Sequence, residues 1–98
     1  MSLLMTKLKN QLHKINPDYE CHLRNINVNG QKRGCSGFVV NPENGRVVYV
    51  DTESSVYEPL ANQSLIRYAE HTRDYRGGQN NYCPTDNTAQ AIHKMLIA

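Results

Sequence analysis

Two apolar runs, Phe38-Val39-Val40 and Val47-Val48-Tyr49-Val50, flank the segment Asn41-Pro42-Glu43-Asn44-Gly45, and no other feature restricts the fold as much. Proline pre-sets one backbone angle of a turn and glycine supplies positive φ at its close, so the segment reads as the loop of a β-hairpin. With Pro42 to Gly45 in the loop, Val40 faces Val47, Val39 faces Val48 and Phe38 faces Tyr49 across the two strands. A sheet with one wet face alternates apolar and polar residues. These runs do not alternate, so both faces of the hairpin are expected to need cover.

A second turn signal, Asn29-Gly30, precedes the hairpin, and Asn-Gly suits a two-residue type I′ turn because both positions tolerate positive φ. The segments before it (Tyr19 to Val28) and after it (Gln31 to Val40) then pair as well, which makes a three-stranded antiparallel meander. Tyr19, Cys21 and Leu23 share one parity and Ile26 and Val28 the other, so a bulge is expected near Arg24 and Asn25. Gly34 and Gly37 on the middle strand mark either another bulge or a close approach by a neighbouring backbone.

Helical spacing brackets the meander. Met5, Leu8, Leu12 and Ile15 form one stripe, with Lys7, Lys9, Asn10, His13 and Lys14 opposite, and Pro17 stops the helix at Asn16. Leu60, Leu65, Ile66, Tyr68, Ala69 and Thr72 are read as a second helix, capped by Asn62 or Ser64 and closed before Gly77. Ala89, Ile92, Met95 and Leu96 mark a third, from Asp86 or Thr88 to Ile97, with Thr85 as a cap. The fold expected is therefore α+β: an N-terminal helix, a three-stranded antiparallel β-meander and two C-terminal helices packed on the sheet. Met1 to Leu4 are set aside as an alternative start or an expression remnant.

A chain of 98 residues is read as one domain, and folding at this size buries about 60–70% of the unfolded chain's surface. Eleven basic and nine acidic residues are interleaved along it, which leaves no long-range field to steer it toward nucleic acid or an anionic membrane. No stretch approaches the length of apolar sequence that a membrane span requires. The three cysteines, Cys21, Cys35 and Cys83, are an odd number, which fits free thiols in a reducing compartment, and the chain is read as cytoplasmic.

The candidate sites are few. Asp51 and Glu53 share strand parity and mark the point where a strand leaves the core. "GCSGF" at 34–38 lacks the second glycine spacing and the strand-to-helix context of a nucleophile turn. The cysteines and histidines have no paired spacing of a zinc site, so neither a metal nor a cofactor is expected. A catalytic reading needs His71 and Asp74, three apart on the second helix, to meet a cysteine in one cleft. The stretch Arg73 to Cys83 is read as a connection after that helix, ended by Gly77 in left-handed geometry. Its alternative is a nucleic-acid site in which Arg73, Tyr75, Arg76 and Tyr82 stack on bases and hold phosphate, with Arg24 and Arg33 from the sheet. Lys32 and Arg33 stand at one end of the meander and Arg46 at the other, so these cations do not make a single patch.

The order helix, three strands, helix is similar to that of double-stranded RNA-binding domains. Those domains put lysines at the start of the helix after the sheet, where this chain reads "YEPLANQS", so the likeness is topological only. The unalternated apolar hairpin points instead to a non-catalytic interaction or regulatory module, dimeric or bound to another protein, with Phe38, Val40, Val47 and Tyr49 as the contact surface.

Overall fold

A computed structural model describes residues 3–53, 62–72 and 74–98, with 74–77 as backbone. Helix α1 (Met5–Ile15) leads into strands β1 (Glu20–Val28), β2 (Gln31–Asn41) and β3 (Arg46–Asp51). Strands β4 (Gln63–His71), β5 (Asp74–Gly77) and β6 (Asn81–Pro84) follow, then a single 3-10 turn (Thr85–Asn87) and helix α2 (Thr88–Ile97).

The strands form one antiparallel sheet in the order β1-β2-β3-β4-β5, with β6 also pairing to β4. β5 lies along the C-terminal part of β4 (Ala69↔Gly77, His71↔Asp74) and β6 along its N-terminal part (Gln63↔Pro84 to Ile66↔Asn81). Together they are one return strand with a break at residues 78–80. Arg67 spans this break, donating through Nη2 to the Gly78 carbonyl and through Nη1 to Asn80 Oδ1 at 2.8 Å.

Both expected hairpins are present. Asn29 and Gly30 have φ of 52° and 79°, and Val28 pairs with Gln31 directly across them, which is the geometry of a two-residue I′ turn. The second loop closes with Gly45 donating to the Asn41 carbonyl at 2.8 Å, and Val40↔Val47, Val39↔Val48 and Phe38↔Tyr49 are register partners as expected. The irregularity of the first pair falls elsewhere than expected. The register runs unbroken from Glu20↔Val40 to Ile26↔Gly34 and then shifts at Asn27↔Lys32. The extra residue is Arg33 on β2, and nothing interrupts β1 at Arg24 and Asn25. Ile26 simply lies on the opposite face from Cys21 and Leu23.

The glycines of β2 mark close approaches. A Cβ on Gly34 would come within 2.8 Å of Thr52 Oγ1. Gly37 has φ of +148°, and a Cβ there would run into the His22 carbonyl oxygen of β1.

The second helix is not formed: residues 63–71 and 74–77 are strands. Leu65 and Ile66 are adjacent, and apolar groups fall on both parities of this segment, which imitates helical spacing. In the sheet, Ser64 and Ile66 are buried on one face while Leu65, Arg67 and Ala69 lie on the other. Asn62, expected as a cap, has φ of 66° and sits at the turn before β4. Pairing with β3, from Val47↔Ala69 to Asp51↔Leu65, decides the outcome, since a long-range ladder overrides a weak local preference. Leu60 lies outside the described residues. With strands after β3, the topological likeness to double-stranded RNA-binding domains also lapses.

Helices α1 and α2 pack on the same face of the sheet. Leu8, Leu12, Ile92 and Leu96 form the core with Tyr19, Cys35, Val39, Val48, Val50, Ile66 and Cys83, which the register places on one side. α1 ends as expected, with Asn16 in extended geometry before Pro17 and its N–H bonded to the Leu12 carbonyl at 2.9 Å. Its first turn is satisfied from the sheet, by the Met5 N–H donating to Asn25 Oδ1 at 2.9 Å. α2 begins at Thr88 without a side-chain cap, and its end is held by Asn41 and Asn44, whose amides donate to the Leu96 carbonyl at 3.1 and 2.8 Å. Leu3, left out of the domain by the sequence reading, is buried, and its carbonyl accepts from Thr52 Oγ1 at 2.8 Å. The same hydroxyl accepts from the Cys35 N–H at 2.9 Å, so one buried group ties the start of the chain to β2.

Candidate functional site

The register assigns the other face of the sheet residue by residue, and among the described residues neither helix lies on it. Three cross-strand rows cross this face. One runs Glu20, Val40, Val47, Ala69; the next His22, Phe38, Tyr49, Arg67; the third Arg24, Ser36, Asp51, Leu65, Tyr82. All four residues expected to form a contact surface therefore fall on one side, in the middle of the sheet. Phe38, Val40 and Tyr49 are partly exposed, whereas Val47 is closed off among its neighbours at 6% exposure. The Phe38 and Tyr49 rings are 5.3 Å apart, tilted at 58°, in the edge-to-face range that aromatic pairs favour. A shallow depression of about 600 Å³ opens beside them, bordered by His22, Arg24 and Thr72.

The polar frame of this face comes from its outer strands. Glu20, His22 and Arg24 on β1 are exposed, with Glu20 Oε1 3.7 Å from His22 Nε2. Arg67 on β4 is partly buried with its Nε lacking a hydrogen-bond partner, and Tyr82 is 44% exposed. Asp51 closes β3, where its Oδ1 accepts from the Glu53 N–H at 2.8 Å. Burial is the main influence on this carboxyl and raises its pKa, with the nearby Glu53 charge adding to the rise and the Glu53 N–H opposing it. The sequence reading missed Leu65, Arg67 and Ala69 as members of this surface, because they join it only once β4 is a strand.

The nucleic-acid candidates are scattered. Arg24 and Tyr82 share the third row, at its opposite ends. Arg33 stands at the bulge, 3.6 Å from Glu53. Arg73 and the side chains of Tyr75 and Arg76 lie outside the described residues. The stretch Arg73 to Cys83 is neither a linker nor a free loop after a helix: it supplies the sheet's last strand.

Catalytic chemistry finds little to work with. His71 and Asp74 are partners across the β4–β5 turn and do not share a helix. Cys35 and Cys83 are buried on the helix side, and burial raises all three thiols. Cys21 Sγ does lie 3.8 Å from His13 Nε2, but that nitrogen faces the Tyr19 carbonyl at 2.8 Å and so carries the proton it donates there. It cannot also accept the thiol proton, which leaves Cys21 unactivated. Among the described residues no three His, Cys, Asp or Glu side chains converge as metal ligands, and no helix is long and apolar enough to cross a membrane. In comparisons with protein-family models, with curated proteins and with solved structures, the chain matches none.

Proposed function

We propose that this protein is a non-catalytic interaction or regulatory module of a reducing compartment, the cytoplasm, dimeric in solution and acting by protein–protein contact through the helix-free face. The observation that carries the reading is the placement of Phe38, Val40 and Tyr49 around Val47 on one face, opposite the face that both helices cover. An apolar centre with a frame of Glu20, His22, Arg24 and Arg67 has the make-up of a protein-contact patch, apolar inside and polar at the rim.

The test is paired affinity capture with the wild-type chain and with Tyr49→Asp, which places a charge at the centre of the patch. Far-ultraviolet circular dichroism first establishes that the variant folds. A partner retained by wild type and lost by Tyr49→Asp is the expected result. The same set of proteins on both baits overturns the face as the contact surface.

A second reading draws on Arg24 and Tyr82 lying on the same face as the Phe38–Tyr49 pair: a platform for single-stranded nucleic acid, with bases on the rings and cations at the edges. It requires oligonucleotide binding that weakens steeply with added salt. Asp51, in the row between Arg24 and Tyr82, works against phosphate there.

A further inference from the structure

The two edges of the sheet are unlike. On one, the return strand is interrupted at residues 78–80, so it offers no continuous backbone ladder. On the other, β1 runs nine residues and, among the described residues, pairs only with β2. Free edges are commonly blunted by proline, lysine or a bulge in the edge strand. β1 has none of these: it contains no proline or lysine, and the extra residue of the β1–β2 pair is on β2.

We propose that β1 is the seam of a homodimer, pairing antiparallel with β1 of a second copy about a two-fold axis through His22. The sequence Glu20-Cys21-His22-Leu23-Arg24 is self-complementary in that register. Glu20 of one copy stands opposite Arg24 of the other, twice over. Cys21 stands opposite Leu23 on the helix side, where both are half-buried in the single chain. A two-fold perpendicular to the sheet keeps the helices of both copies on one side, and it allows only registers in which some residue faces itself. Centring on Leu23 sets His22 against Arg24, and centring on Arg24 sets two arginines together. Only the His22 register pairs opposite charges, and cross-strand pairs of opposite charge stabilise where like charges destabilise. Antiparallel strands accept a two-fold at either kind of facing pair, so the backbone imposes no further restriction. The result is one continuous sheet with two helix-free faces side by side.

This inference rests on the reading of the chain as a dimer and assigns its seam. The experiment is size-exclusion chromatography with light scattering at a series of concentrations, on wild type, Arg24→Glu and the exchange Glu20→Arg with Arg24→Glu. Both positions are exposed, so the variants keep the fold, as circular dichroism checks. A wild-type dimer, a loss of at least about tenfold in dimer affinity for Arg24→Glu, which sets glutamates opposite each other at two places, and recovery in the exchange are expected. As a geometric check, His22→Cys should oxidise to a covalent dimer, because facing Cα atoms at about 4.5–5.5 Å fall within disulfide reach. A wild-type monomer overturns both the dimer and the seam. A wild-type dimer that ignores Arg24→Glu overturns the seam and leaves the dimer standing.

Discussion

Val39, Val48, Val50 and Ile66 on the helix side of the sheet are at most 4% exposed, while Phe38, Val40, Tyr49 and Leu65, their immediate neighbours along the same strands, are only partly buried on the other side. The residue types are nearly the same, so apolar character does not separate core from surface here. Parity does. Each strand hands alternate residues to two environments, and only the side toward Leu8, Leu12, Ile92 and Leu96 is closed. Burial on that side supplies the stability, and the other side is available for contact.

This contrast is open to direct attack. The largest effect is expected from Ile92→Ala on α2, fully buried, which should cost about 2–5 kcal/mol. Val40→Ala on the open face should cost less than about 1 kcal/mol, since much of its side chain already meets water. Chemical denaturation midpoints measure both, and equal losses would mean that the open face is packed in solution. Next comes Ser64→Ala. Thr88 Oγ1 donates to the Thr85 carbonyl at 2.8 Å, so in the buried 2.7 Å pair it is Ser64 that donates to Thr88. Removing that donor leaves a buried lone pair unmet, at about 1 kcal/mol, while Tyr82→Ala on the far side should be close to neutral.

The smallest effect is expected at Asp51. Its pKa in the folded chain is raised above the ordinary value of 3.8, chiefly by burial. The contribution of this carboxyl is therefore most favourable below 3.8 and is lost as pH rises through the folded value. Asp51→Asn, which keeps the acceptor for the Glu53 N–H, should stabilise the fold at neutral pH by about 0.5 kcal/mol and have no such benefit in acid. Urea titrations at the two pH values check the sign. A loss at neutral pH would show that an ionised Asp51 is held by a partner on the open face.

Local chemistry was legible where it acts alone. Asn29-Gly30 and Asn41 to Gly45 announced both hairpins and the register between β2 and β3, and Pro17 announced the end of α1. The last helix, too, was legible from Ala89, Ile92 and Leu96. What escaped was decided at long range. Residues 63–72 carry Leu65 and Ile66 side by side, and only the ladder to β3 selects strand over helix. The unalternated run Val47 to Val50 carried the missing hint: it belongs to a central strand with a neighbour on each edge, β2 and β4, as well as groups on each face. Once β4 was misread, the stretch after it became a connection, and Leu65, Arg67 and Ala69 were lost from the open face. The four central contact candidates came from the one hairpin whose pairing the sequence dictates.

The interrupted return strand has a consequence for assembly when viewed as polymer chemistry. A flat sheet with two clean edges is a bifunctional monomer, able to add copies without limit toward a fibre. Here the Gly78 to Asn80 break, bridged by Arg67, removes one of the two reactive ends. The chain is left with a valence of one, so edge-to-edge growth terminates at a pair.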